Sequence, residues 1–125
     1  MLIWDAHCDI LSVIGKPAEL LKNTHHWDIN RAKRLGVFVQ VFSSYAEKGN
    51  ESLRKTLMQK QFMRGIEAEK LLNAHLKLIR WKHELDSLSE NRVYGILGTE
   101  GSEIFGESLD ELDRLYDAGL RVLTL

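Results

Sequence analysis

Four short apolar runs, rich in β-branched and aromatic residues and separated by helical stretches, limit what this chain can fold into more than any other feature. They are Leu2 to Asp5, Val37 to Ser43 (VFVQVFS), Val93 to Leu97 (VYGIL) and Leu120 to Leu125 (LRVLTL). A strand with one wet face alternates apolar and polar residues. Short, largely apolar runs spaced by helices instead signal a parallel sheet covered on both faces.

The intervening segments carry helix punctuation. Asp28 is placed to cap a helix over Ile29 to Leu35, which Gly36 stops. Ser108, with Glu111 three residues on, forms a capping box for Leu109 to Ala118, closed by Gly119. A long helical pattern opens near Glu51, and Leu53, Leu57, Met58, Phe62, Ile66 and Leu72 give it an apolar stripe. Packing of that stripe on the sheet is a better reading than a groove for a partner. LKLIR, Leu76 to Arg80, reads as a short extended piece before a separate helix through His83 to Leu88. Periodicity alone does not separate this from one helix running on to Ser89.

The sum is βαβαβαβ in 125 residues. A (β/α)8 barrel typically uses ~250 residues, so the expected fold class is α/β, the N-terminal half of a TIM-type barrel with about four β/α units. On this reading residues 1–125 form one incomplete domain that ends within the fourth predicted strand. Val39, Val41, Ile96 and Val122 then lack opposing strands, so partial cover and association are expected.

Composition excludes several classes of function. Apolar residues make up 44% and charged residues 28% of the chain, and the formal net charge is −1, against disorder and against a nucleic-acid stripe or polybasic membrane anchor. Cys8 is the single cysteine, which rules out an intrachain disulfide. With no basic leader and no apolar run near the ~20 residues that span a bilayer, a cytoplasmic protein is expected.

Functional groups in parallel α/β folds gather at the carboxyl ends of strands. His7 and Asp9 end the first run, and positions two apart on an extended chain point to one side. Glu100 lies just past the third run, between Gly98 and Gly101. One nitrogen and two carboxylates suit a divalent ion, zinc and manganese both included. Each signal alone also fits a capped loop or a turn; their common face argues for a metal site. Cys8 points away from both neighbours and reads as a small buried filler.

These residues carry a resemblance. In order along the chain, WDAHCDIL, RAKRLGVFVQVFSSY and GILGTEGSEIFGESLDELDRLYDAGLRVLTL resemble the amino-terminal part of the membrane (renal) dipeptidase family of zinc peptidases. The likeness is weakest between Ala46 and Asn91. Its most specific pieces are His-x-Asp, Glu-Gly, and a final pattern carried by Leu112, Leu115, Tyr116, Gly119, Arg121, Thr124 and Leu125. The resemblance implies a barrel enzyme with a binuclear zinc centre that hydrolyses dipeptides, in some members those with a carboxyl-terminal D-residue. By position, His7 and Asp9 would hold the first zinc and Glu100 would bridge both.

The family's other metal-holding histidines, a substrate-contacting histidine, an arginine for the substrate carboxylate and a late aspartate come from later strands. His25, His26, His75 and His83 cannot replace them, since none lies at a predicted carboxyl strand end. Glu103 falls where some relatives carry a histidine and is assigned no role. The expectation is therefore one weakly held zinc and no peptidase activity for the isolated chain, with dipeptide as substrate once a complementary half-barrel completes it. The alternative is a non-catalytic interaction module or gene remnant, self-associating through its open edge at Leu120 to Leu125.

Overall fold

The computed structural model describes all 125 residues. One parallel sheet holds β1 (Leu2–Cys8), β2 (Val37–Ser44), β3 (Leu76–Leu78), β4 (Val93–Glu100) and β5 (Leu120–Thr124). The helices are α1 (Ile10–Val13), α2 (Ile29–Lys33), α3 (Glu51–Leu71) and α4 (Leu109–Ala118), with 3-10 turns at Pro17–Leu20, Lys82–Ser87 and Ser102–Ile104. No helix is long and apolar enough to cross a membrane.

The expected four strands are five. Leu76–Leu78 is a strand, and the segment expected to be a helix over His83 to Leu88 is a 3-10 turn. β2 occupies one edge of β4 from Tyr94 to Thr99, so β3 and β5 must share the other. β3 takes Val93 to Gly95 and β5 takes Leu97 to Glu100. The full-length neighbours are thus β1, β2, β4 and β5, each parallel to the next, as in successive strands of a (β/α)8 barrel.

The helix ends follow local chemistry. Asp28 accepts from Arg31 N at 2.8 Å, and this cap starts α2. Burial opposes the Asp28 carboxylate, yet hydrogen bonds from Arg31 and from Asn23 N outweigh it and hold its carboxyl below the usual range. Gly36 has φ +112°, and a Cβ there would lie 2.6 Å from Met1 O, so only glycine lets the chain turn under β1. At α4 only half of the expected capping box forms. Ser108 Oγ accepts from Glu111 N at 3.2 Å, but the Glu111 carboxylate turns instead to Gln59 and Arg114.

Asn50 caps α3 by accepting from Leu53 N at 2.9 Å. Met58, Phe62 and Ile66 lie buried on the sheet, as the stripe predicts. Leu53 and Leu57 do not: they are 49% and 38% exposed, because the buried face runs through Met58, Gln61, Phe62, Gly65 and Ile66 at spacings of three and four. Gln61 holds a core position by pairing its amide with Tyr45, accepting from Tyr45 N at 2.8 Å and donating to Tyr45 O at 2.7 Å. That splint fixes the backbone just beyond β2. Gly65 lets the helix close on the sheet, since a Cβ would meet Leu97 Cδ2 at 2.7 Å.

The expected thin cover of the inner face is corrected at Val39, Val41 and Ile96, whereas Val122 is only partly covered, as expected. Val39, Val41 and Ile96 are buried, with Ile79 and Tyr94, beneath Leu85 and Leu88 and beside Val122. The β3–β4 connection folds over this face and plugs it. Glu84 anchors the plug: its Oε2 accepts from Arg80 N at 2.8 Å and Trp81 N at 2.9 Å, while Oε1 pairs with Lys77 Nζ at 3.1 Å. Burial works against the Glu84 carboxylate, but these bonds prevail and bring its pKa down to about 2.

Candidate metal centre

A β-bulge aims the first site residue. Trp4 pairs with Val39 and so shares the inner face, while Asp5 pairs with Gln40. Unbroken alternation would then send His7 outward, toward the helices. Instead Asp5 and Cys8, three residues apart, sit opposite Gln40 and Phe42, two apart. The extra residue turns His7 inward and Cys8 outward. The bulge frees His7 N–H from the ladder, and Asp5 Oδ1 captures it at 3.1 Å. Asp5 was missed in the sequence, although an aspartate two residues before an N–H that needs a partner is a familiar local signal.

Beyond the bulge, His7 Nε2 lies 3.1 Å from Asp9 Oδ1 and 3.5 Å from Glu100 Oε2. One ligand atom from each of the three residues falls within 4.8 Å of the others, and no further trio of His, Cys, Asp or Glu does so in the chain. Two ligands of one tetrahedral zinc, each about 2 Å from the ion, sit roughly 3.3 Å apart. The donor set therefore fits a small divalent cation. Asp9 occupies the N-cap position of α1 yet makes no side-chain capping bond, which leaves its carboxylate for His7. The other imidazole nitrogen, Nδ1, meets Ser43 Oγ at 3.2 Å.

Glu100 is the last residue of β4, and the chain turns at once through Gly101, whose φ of +104° requires glycine. Gly101 N donates to Thr124 O at 2.7 Å, and Thr99 Oγ1 donates to Gly101 O at 3.2 Å. Glu103 folds back over Gly101 and pairs with Arg54 of α3 at 3.2 Å. Gly98 forms part of the floor, because a Cβ there would press on Val41 and Val122 at 3.3 and 3.2 Å.

The site is open. The His7, Asp9 and Glu100 side chains are each more than 40% exposed, and no cavity is lined by any of them. Cys8 lies beneath, 5% exposed, with Sγ 3.5 Å from His26 Nε2. Burial pushes its thiol up to about 11, so it is a packed thiol rather than a thiolate ligand. His25, His26, His75 and His83 stand outside the trio.

Residues 1–125 in their entirety match the family model for membrane dipeptidase, peptidase family M19. The chain belongs to that family. Two solved structures of similar fold are the dipeptidase AC, a metallopeptidase of family M19, and a metallopeptidase from Rhodobacter sphaeroides liganded with a phosphinate mimic of the dipeptide L-Ala-D-Ala. They share 22% and 21% identity with this chain, at TM-score 0.79 in both cases. Each superposition covers 98% of this chain, but only 42% and 44% of the neighbour. This M19 sequence thus spans less than half the length of those structures. A search of curated protein sequences finds no significant match.

Proposed function

We propose that this M19 chain supplies the amino-terminal part of a zinc-dependent dipeptidase, with residues 1–125 as one incomplete barrel domain. His7, Asp9 and Glu100 would hold the zinc, Glu100 offering two carboxylate oxygens. The observation that carries this reading is the convergence of the three donors at the carboxyl ends of β1 and β4, at spacings that suit one ion's coordination shell. When bound, zinc polarises a carbonyl and lowers the pKa of a bound water.

The chain's own residues prepare that chemistry. Asp5 and the bulge aim the His7 ring inward, Ser43 meets its far nitrogen, and Gly101 with Thr99 and Thr124 sets the direction of Glu100. The substrate class is a dipeptide, by analogy with the R. sphaeroides neighbour and its L-Ala-D-Ala mimic. Walls that would enclose such a substrate are not formed by these residues, since the trio lines no cavity. Alone, the chain then holds one zinc weakly and does not turn over dipeptides; further polypeptide must complete the barrel.

The test combines zinc titration of residues 1–125 with an L-Ala-D-Ala hydrolysis assay. Binding of one zinc that is lost in His7→Ala, without hydrolysis, is expected. Hydrolysis by this chain alone that disappears in Glu100→Gln would overturn the inactivity, and no zinc binding would overturn the site. A second reading, self-association, has its own observation. No strand covers the outer edge of β1 or β5, and Leu2, Trp4, Leu123 and Leu125 are exposed there. Sedimentation that shows a monomer at every concentration would dismiss it.

A further inference from the structure

We propose that Ser43 is a positioning residue for the metal site, a reversible hydrogen-bond partner that fixes His7 in whichever tautomer the site requires. The inference rests on the metal-binding reading of His7, Asp9 and Glu100. Ser43 continues the inner-face row of Val39 and Val41, where the pattern calls for a third apolar residue, and it is only 4% exposed. A buried hydroxyl needs a partner, and the one that Ser43 Oγ has is His7 Nδ1 at 3.2 Å. Its neighbour across the sheet is Gly98, which has no side chain to offer.

A neutral imidazole carries one proton on one of two nitrogens. Without an ion, His7 Nε2 faces carboxylate oxygens of Asp9 and Glu100 at 3.1 and 3.5 Å, which favours the proton on Nε2. Nδ1 is then an acceptor, and the Ser43 hydroxyl donates to it. When Nε2 gives its lone pair to a metal, the proton resides on Nδ1, and Nδ1–H donates a hydrogen bond to Ser43 Oγ. The proton passes from one nitrogen to the other through solvent, so the ring's charge is unchanged. A hydroxyl serves both states by rotating, but its bond is stronger in the second, where a cation on Nε2 polarises the ring and makes Nδ1–H a better donor. Alanine therefore weakens the metal-bound state more than the free one. Partners of this kind orient ligating histidines and typically change metal affinity 10–100-fold when removed.

The experiment compares wild type, Ser43→Ala and Ser43→Thr by zinc competition against a chromophoric chelator, with melting of the zinc-free proteins and long-range 1H–15N spectra of His7. Expected are a zinc affinity about 10–100-fold weaker for alanine, near wild-type affinity for threonine, and similar zinc-free melting midpoints. Alanine within twofold of wild type, or threonine as weak as alanine, would overturn the proposal. The spectra separate it from the metal reading. Zinc-free wild type should show the Nε2–H tautomer, and an Nδ1–H tautomer there contradicts the proposal even if zinc binds elsewhere. If the alanine variant fails to fold, the threonine titration and the wild-type spectra decide.

Discussion

Replacing Glu84 by glutamine should uncouple the inner-face plug from pH. The carboxylate accepts two backbone N–H groups and pairs with Lys77, and its side chain is 16% exposed. Its pKa of about 2 against an ordinary 4.5 corresponds to roughly 3 kcal/mol of preference for the charged form. Lys77 is 37% exposed, so solvent screens its share, and about 1–2 kcal/mol is the realistic contribution. Folding lowers this pKa, so the unfolded chain binds the extra proton in acid. The contribution is complete above about 4.5 and is lost as pH falls toward about 2. Glutamine keeps an acceptor for the backbone but turns an amide toward the lysine. Urea unfolding followed by circular dichroism at a series of pH values should show wild type more stable than Glu84→Gln by about 1–2 kcal/mol near neutrality. That gap should close toward pH ~2. A gap that stays constant through acid pH would refute the assignment, because the lost stability would then not belong to the Glu84 charge.

Other substitutions probe separate parts of the account. Gly95→Ala places a Cβ 2.7 Å from both Leu78 Cδ2 and Phe42 Cε2, and urea midpoints should fall by the equivalent of about 1–3 kcal/mol. Asp28→Ala removes the cap of α2 and the carboxylate that Arg31 Nε meets at 2.8 Å, a loss of about 1–2 kcal/mol in the same assay. Asp28→Asn, which keeps the capping oxygen, should lose less. Asp5→Ala deprives the bulged His7 N–H of its partner; zinc affinity should drop roughly tenfold while stability changes by about 1 kcal/mol or less.

Legibility in the sequence followed the range of the interactions. Asp28 and the glycines at 36 and 119 act within one turn of chain, and their roles could be read directly. His7, Asp9 and Glu100 stand out in the sequence because strand ends and spacing point to them, and the structure brings their donor atoms close together. What escaped depends on partners far away in sequence. The bulge in β1 is visible only against the register of β2, and without it strict alternation would aim His7 away from the site. Ser43 looks like an ordinary strand end until His7, 36 residues earlier, lies across from it. Leu53 and Leu57 continue the apolar period of α3, yet the sheet does not extend beneath them. The inner face looked thinly covered because the plug that shields it reads as a polar segment, KHELDSL, with only Leu85 and Leu88 packed on that face. The Glu111 half of the capping box failed because Gln59, on another helix, competed for its carboxylate.

The central claim is that His7, Asp9 and Glu100 together hold a metal ion. Anomalous diffraction at the zinc absorption edge, from crystals of this chain grown with zinc, tests it most directly. The account predicts a peak about 2 Å from His7 Nε2 and from a carboxylate oxygen of both Asp9 and Glu100. Density at other histidines with none between these three side chains would contradict it.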